Sequence, residues 1–420
     1  MKHEYRLFLK RLTGKLWFRP LIFCLLSIGA ALISHLADTI FPNDFFPEIK
    51  KSSLENLLTT ISASMLVISI FAVGSMISAF SSASATATPR SFELIVADDV
   101  SQNALSVYIG SFIFSIVATV ALKNEYYGDA GYFTLFILTI FVFTLVILTF
   151  LRWVDRISKL GRLAHTIKKI EEVSLKALLN RRKEPFMGGC KLTNHNDNTF
   201  PIYTKRIGYV QYINLEKLQK LATTNNVVII LNCIPGTFAS LDKPLFYCYS
   251  SNHNYLKSDV EKLIEEFEID DNRSFNDDPR FGLIALSEIA SRALSPGIND
   301  PGTAIAILGS YVRLFSLWFN TKETDIIKYD RIEVPGISIA DMFEDAFRPI
   351  SRDGAGNIEV MLKLQKVLIS ISRVGDSTTK EVALKHSKSA YERAELVMQY
   401  SKDLEYLKSK CLFVQSNSVF

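Results

Sequence analysis

The residues best suited to chemistry fall in two places, and neither is arranged as a catalytic site. The first is the stretch Asn276 to Phe319, NDDPRFGLIALSEIASRALSPGINDPGTAIAILGSYVRLFSLWF, which holds Asp278, Arg280, Glu288, Arg292, Asn299 and Asp300. Asp278 and Asp300 each precede a proline, Pro279 and Pro301. That is the design of a helix start: the carboxylate accepts the free amides of the first turn, and the proline takes the first helical position, where its missing donor costs nothing. Glu288 and Arg292 stand four apart, so they can pair across one helical turn, and Ser295-Pro296-Gly297 ends that helix. Two roles are open to these six residues. They can be caps and structural ion pairs, or polar groups that the Pro-Gly turn and the second helix start gather for a ligand or for a membrane mouth.

The second place is Thr59 to Pro89, TTISASMLVISIFAVGSMISAFSSASATATP. Ser64, Ser75, Ser78 and Ser82 are separated by 11, 3 and 4 residues and share one helical face. Hydroxyls on such a face can line a wetted path, replacing part of a solute's hydration without a fixed charge in the bilayer. The competing reading is close helix packing, because Ala72, Ser75, Ala79 and Ser82 form an overlapping seam of small residues. Pro89 breaks the helix, which puts Arg90 and Glu93 at a cytoplasmic mouth.

Much is excluded. No HExxH, GxSxG, P-loop or paired-carboxylate motif is present, which argues against an enzyme. The six histidines lack zinc-ligand spacing, and Cys24, Cys190, Cys233, Cys248 and Cys411 include no CxxC, so neither metal nor cofactor is expected and the thiols are expected to be reduced. A net charge of +4 comes without a basic patch interleaved with aromatics, so nucleic acid is not an expected partner. The cations suit an anionic headgroup surface instead.

The elements that must position these residues divide the chain. Four apolar stretches, Trp17 to Ala37, Leu54 to Ser81, Asn103 to Leu122 and Tyr132 to Trp153, each approach the ~20 residues that span ~30 Å of hydrocarbon. Lys2, Arg6, Lys10, Arg11, Lys15 and Arg19 in the first twenty residues, and Arg152, Arg156, Lys159, Arg162, Lys168 and Lys169 around the end of the fourth, place both ends in the cytoplasm. Asp38 to Ser53 and Lys123 to Gly131 are then outer loops. A secretory signal is the alternative for the first stretch, but His35 and Ala37 make a poor cleavage site. No Asp, Glu, Lys or Arg lies in the four apolar cores, which favours a passive path over a proton relay.

The remainder reads as a cytoplasmic α+β domain. Residues 1–154 form the four-helix membrane unit and 155–198 a juxtamembrane helix and linker. Residues 199–258 form a small β barrel or sandwich, and 259–420 a helical subdomain. Strands are expected at Ile207 to Ile213, Val227 to Asn232 and Leu245 to Tyr249, with a short helix from Asn214 to Ala222. The phrase CIPGTFASLDKPLFYC resembles the hairpin of biotinyl and lipoyl carriers, but Lys243 lacks the flanks of an attachment site. Ser338, Asn357 and Asp376 can cap three later helices, the last running to Lys410. Its Ala383, Ala390, Ala394, Val397 and Leu404 offer a stripe for association between copies.

The phrases DPRFGL and RALSPGINDPGTA, with SASATATPRSF and the four-span start, closely resemble a family of predicted bacterial integral membrane proteins known only as a domain of unknown function. The resemblance covers most of the chain and implies a bacterial inner-membrane protein with a four-span unit and a cytoplasmic domain. It carries no activity, ligand or catalytic residue with it. From the residues, the expected function is a homo-oligomeric channel or pore for ions or small solutes, lined by Ser64, Ser75, Ser78 and Ser82 and gated or framed by the cytoplasmic domain. The alternative is a membrane-tethered sensor or scaffold whose cytoplasmic domain binds a ligand or protein partner.

Overall fold

Long apolar runs with no proline beyond the first turn become four helices: α1 (Phe18–Ile40), α2 (Lys51–Thr86), α3 (Asp99–Lys123) and α4 (Asp129–Ile157). The computed structural model describes residues 17–40, 47, 49–91, 94, 99–159, 162–193, 199–249, 260–324 and 326–415. The chain separates into two compact units, Met1–Thr166 and Ile167–Phe420. In the first unit the helices contain 23, 36, 25 and 29 residues. At ~1.5 Å per residue the shortest is about 35 Å long, enough for the ~30 Å of a hydrocarbon core.

Ion pairs at the helix ends fix an alternating direction. Arg19 at the start of α1 meets Asp99 at 2.5 Å and Asn103 at 2.9 Å, both at the start of α3. At the opposite end, Lys51 reaches Glu125 at 3.2 Å and Lys123 reaches Glu55 at 3.0 Å. The end of α2 and the end of α4 meet where Ile157 packs on Met76, Phe80 and Ala83. Helix α3 is central, touching α1, α2 and α4. Its Ala104, Tyr108, Phe114, Ala118 and Leu122 are buried, as are Ser101, Gln102, Ser106, Ser111 and Ser115. Small residues let it approach α1: a Cβ on Gly110 would lie 3.1 Å from the Phe23 Cβ. Large apolar side chains such as Val67, Ile70, Phe141 and Leu151 point outward. That is the reverse of a water-soluble bundle and suits a lipid solvent.

Asp38, expected in an outer loop, lies within α1. Its carboxylate accepts the Gly128 N–H at 2.8 Å and the Gly131 N–H at 2.6 Å. Gly128 caps α4 without a side chain, so α1 supplies the missing acceptor for orphan amides of that first turn.

In the second unit, α5 (Leu163–Lys183) leads to β1 (Gly189–Lys191), β2 (Thr199–Tyr203), β3 (Gly208–Ile213), α6 (Leu215–Thr224), β4 (Val228–Leu231), β5 (Phe238–Ala239), β6 (Pro244–Tyr249), α7 (Val260–Ile264) and β7 (Phe267–Asp270). Asn214 caps α6 by accepting from the Lys217 N–H at 3.2 Å. After α8 (Phe281–Ala293) and α9 (Pro301–Asn320) come β8 (Tyr329–Val334), α10 (Ile339–Asp353), α11 (Ile358–Val374), α12 (Ser377–Val397), α13 (Ser401–Ser409) and α14 (Leu412–Gln415). The expected barrel does not form. One sheet is five-stranded and open, in the order β1-β8-β4-β6-β2, and the other is three-stranded, β5-β3-β7. Strands β1 and β8 come from outside residues 199–258, and β8 pairs parallel with both β1 and β4. A parallel partner needs a long crossover, so it comes from far along the chain. Both sheets share one core, in which Phe246 of the first stacks on Phe267 of the second at 5.3 Å between centroids.

Ser338, Asn357 and Asp376 cap α10, α11 and α12 as expected, accepting from the backbone N–H groups of Asp341, Val360 and Thr379. The expected last helix is shorter: α12 ends at Val397, and the extended Met398 turns the chain back. Leu407 and Cys411 thereby become fully buried. Ala383, Ala390 and Ala394 are also buried within the protomer, so they are core residues and not an association stripe. All five cysteines are free thiols, and burial pushes Cys233 and Cys248 up to about 12. Helix α9 is also long and apolar enough to cross a membrane, but its Tyr311, Leu314 and Phe315 are fully buried, with Phe315 against Phe343 and Phe347 of α10.

Replacing Asp38 by Ala removes the acceptor for two amides. The expected cost is about 0.5–2 kcal/mol, read as a lower melting temperature of the detergent-solubilised chain, with Asp38→Asn falling between. A melting temperature unchanged in Asp38→Ala would show that the contact does not hold α4 to α1.

Candidate functional site

On α2 the residues Leu54, Leu58, Ile61, Met65, Ser69, Ala72, Met76, Phe80 and Ala83 are buried. Their spacing of three and four residues marks a single face turned into the first unit. At 100° per residue the serine stripe lies roughly a third of a turn from that face. Ser64, Ser78 and Ser82 are exposed and Ser75 is half-buried. Among the described residues, Ser64, Ser75 and Ser78 make no hydrogen bond through their hydroxyls. Ser69, by contrast, is buried and donates to the Met65 carbonyl at 2.7 Å. Phe71, Gly74, Ser75, Ser78, Ala79, Ser82 and Ile157 line a groove of about 530 Å³ along this outward side.

The small-residue seam is split by the same geometry: Ala72 is fully buried in the protomer, while Ser82 at its other end is exposed. Helix α2 stops at Thr86, and Pro89–Ser91 forms a short 3-10 turn beyond it. Arg90 is exposed there, and Glu93 lies outside the described residues.

The six polar residues of the 276–319 stretch do not converge. Asp278 and Arg280 stand before α8, Glu288 and Arg292 lie along it, and Asn299 and Asp300 lie beyond its far end. Those 13 helical residues separate the two ends by about 20 Å. Helix α8 also begins at Phe281, not at Pro279, although Asp278 still serves its first turn. The Asp278 carboxylate is 3% exposed and accepts the Arg280 N–H at 3.0 Å, the Phe281 N–H at 3.2 Å and the Arg273 Nε at 2.6 Å. Arg273 in turn sits over the Tyr209 and Phe281 rings at 5.8 and 5.6 Å. Gly236 covers the carboxylate in a left-handed conformation (φ +95°), and a Cβ there would lie 2.4 Å from Oδ2. The Pro235-Gly236 turn is thus required by close approach as well as by φ.

Arg181 of α5 is buried beside this centre. Burial pushes its pKa down to about 10, against the opposing fields of Asp278 and Asp277. Its Nη1 makes no hydrogen bond. Arg280 is held from the other side, by Asp345 at 2.6 Å and Asp341 at 2.7 Å. Burial works against the Arg280 cation, yet the hydrogen bond and charges of Asp345 and Asp341 leave its pKa raised. Arg181, Arg273, Asp341 and Asp345 were not among the expected site residues. Asp341 and Asp345 are four apart on one face of α10, the one local signal that could have marked them.

Asp300 caps α9 as expected, accepting the Thr303 N–H at 3.1 Å and its hydroxyl at 2.6 Å. Those bonds hold the Asp300 carboxyl below the usual carboxylate range. Asn299 adopts φ +48° at the exposed turn before it. Asp278, Asp300, Asp341 and Asp345 thus each meet a cation or a backbone amide, an arrangement suited to holding the fold. Among the described residues, no group of three His, Cys, Asp or Glu side chains could hold a metal.

A family model described as "Predicted membrane protein (DUF2254)" matches residues 13–370. Uncharacterized proteins of Mycobacterium bovis and Mycobacterium tuberculosis are each 24% identical over 192 residues, which is 44% of this chain and 37% of theirs. The chain therefore covers little more than a third of these relatives' length. No solved structure matches it.

Asp278→Asn removes charge from a buried centre holding Arg273 and Arg181, and is expected to cost about 3–5 kcal/mol. Asp300→Ala, losing only a cap, is expected to cost about 0.5–2 kcal/mol. Denaturant titration of the two variants checks the order, and equal costs would contradict the distinction between lock and cap.

Proposed function

The chain belongs to this family of predicted membrane proteins, and from that premise we propose that it is a homo-oligomeric channel or pore for ions or small solutes. Its site is the bacterial inner membrane, with both termini cytoplasmic. Copies of α2 line the path through Ser64, Ser75, Ser78 and Ser82, and the second unit gates or frames it. One observation supports this reading: Ser64, Ser75 and Ser78 lie off the face that α2 turns into the protomer's own core, and among the described residues their hydroxyls find no partner. A hydroxyl at hydrocarbon depth costs roughly 1–3 kcal/mol if left unsatisfied. Water in a shared path, or a neighbouring copy, relieves that cost. The absence of charge from the apolar cores of the helices suits passive flux rather than coupled transport.

The competing reading is a tethered sensor or scaffold in which α2 is an anchor and its outward serines a seam between copies. The two readings order the consequences of one substitution differently. In a pore, Ser78→Leu favours dewetting of a constriction, so flux falls while the oligomer survives. In a seam, Leu forces helices apart and the oligomer is damaged first. Conductance in planar bilayers and detergent-resistant oligomer size, measured on the same Ser78→Leu preparation, separate them. An intact oligomer with flux equal to the parent's would remove support for the pore.

A further inference from the structure

Helices α10 and α12 lie side by side and leave a cleft of about 210 Å³ lined by Glu344, Arg348, Ser351, Lys385, His386, Ser389 and Arg393. The spacing builds it. Glu344, Arg348 and Ser351 follow at i, i+4 and i+7 on α10, and Lys385, Ser389 and Arg393 follow at i, i+4 and i+8 on α12, so each helix contributes one face. Three permanent cations meet one carboxylate. Glu344 is engaged at the edge, by Arg348 at 3.3 Å and His386 at 3.9 Å. Among the described residues, Lys385 and Arg393 make no direct ion pair, although the field of Arg393 reaches Asp353. His386 packs against the Phe343 and Phe347 rings at 5.6 and 6.4 Å. Burial lowers its pKa, the Glu344 charge opposes that, and Lys385, Arg348 and Arg393 lower it further, so all three cations act on one spot.

We infer that this cleft binds a phosphate-type oxyanion, with Arg348, Lys385 and Arg393 supplying the charge and Ser351, Ser389 and His386 the neutral polar lining. Guanidinium groups match phosphate oxygens in bidentate geometry, and such charge-assisted hydrogen bonds are about twice as strong as neutral ones. A site of about 210 Å³ is below the ~300 Å³ at which pockets for drug-sized molecules begin, so the anionic group itself is what it holds. That group can arrive on a free solute or as a lipid headgroup. The inference is independent of the pore, because it uses no residue of the first unit.

The test titrates pyrophosphate into the full chain, in nanodiscs of phosphatidylcholine, by calorimetry. Saturable binding is expected, weakened by ~10-fold or more in Lys385→Gln/Arg393→Gln. A control, Lys322→Gln/Lys402→Gln, removes the same charge elsewhere and should bind as the parent does. In the unsubstituted chain, pyrophosphate should also slow acetylation of Lys385 but not of Lys402, a readout that needs no variant. Protection by phosphatidylglycerol in the nanodisc, with none by pyrophosphate, would support the cleft with a headgroup as the source. Failure of both to protect Lys385, or equal loss of pyrophosphate binding in the control, would overturn the inference.

Discussion

The buried Asp278 carboxylate is the interaction on which the second unit depends. It joins three parts of the chain far apart in sequence: α5 through the field on Arg181, the β4–β5 turn through Gly236, and its own β7–α8 segment, through Arg273 and two amides at the start of α8. Burying such a charge is costly unless it is paired and hydrogen-bonded, and here Arg273 and two backbone amides supply both. The carboxylate therefore specifies a single arrangement of sheet and helices. Arg280 extends the linkage to α10 through Asp341 and Asp345.

In the first unit the governing constraint is different, because lipid offers neither hydrogen bonds nor a hydrophobic drive between helices. Close approach takes over. Helix α3 buries small and hydroxyl residues against all three neighbours, and Gly110 admits the Phe23 backbone region of α1. Charged side chains act only at the ends, where Arg19–Asp99 and the Asp38 clasp on Gly128 and Gly131 set helix direction. With α2 held by its buried face, its serines are left outward, and that leftover polarity is what the proposed path uses.

Two polar clusters of the second unit separate by accessibility. The Asp278 centre is buried and its carboxylate is paired within it, so that charge is spent on folding. The α10–α12 cleft is open, and among the described residues Lys385 and Arg393 make no direct ion pair, Arg393 reaching Asp353 only through its field. Unspent charge in a concave setting is the feature expected of ligand recognition, whereas spent charge is the feature of architecture.

The sequence by itself determined what depends on local pattern. Apolar length was enough for the four helices of the first unit, and residue type at a helix start was enough for the caps at Asp300, Ser338, Asn357 and Asp376. A period of 3.6 was enough to put Ser64, Ser78 and Ser82 on one side of α2. Tertiary structure alone decided whatever joins distant segments. Strand β8 enters the first sheet beside β1 and β4 because parallel pairing draws on remote chain, so residues 199–258 could not reveal an open sheet. Asp38 became a cap for α4 only because α1 ends beside it, and Arg181 became part of the Asp278 centre only because α5 folds onto α8. The alanines of α12 read as a contact stripe from spacing, yet they are buried within the protomer, where α12 packs on α10 and α11. A pattern states which face of a helix is apolar, but which neighbour covers that face is settled by the free energy of the whole fold.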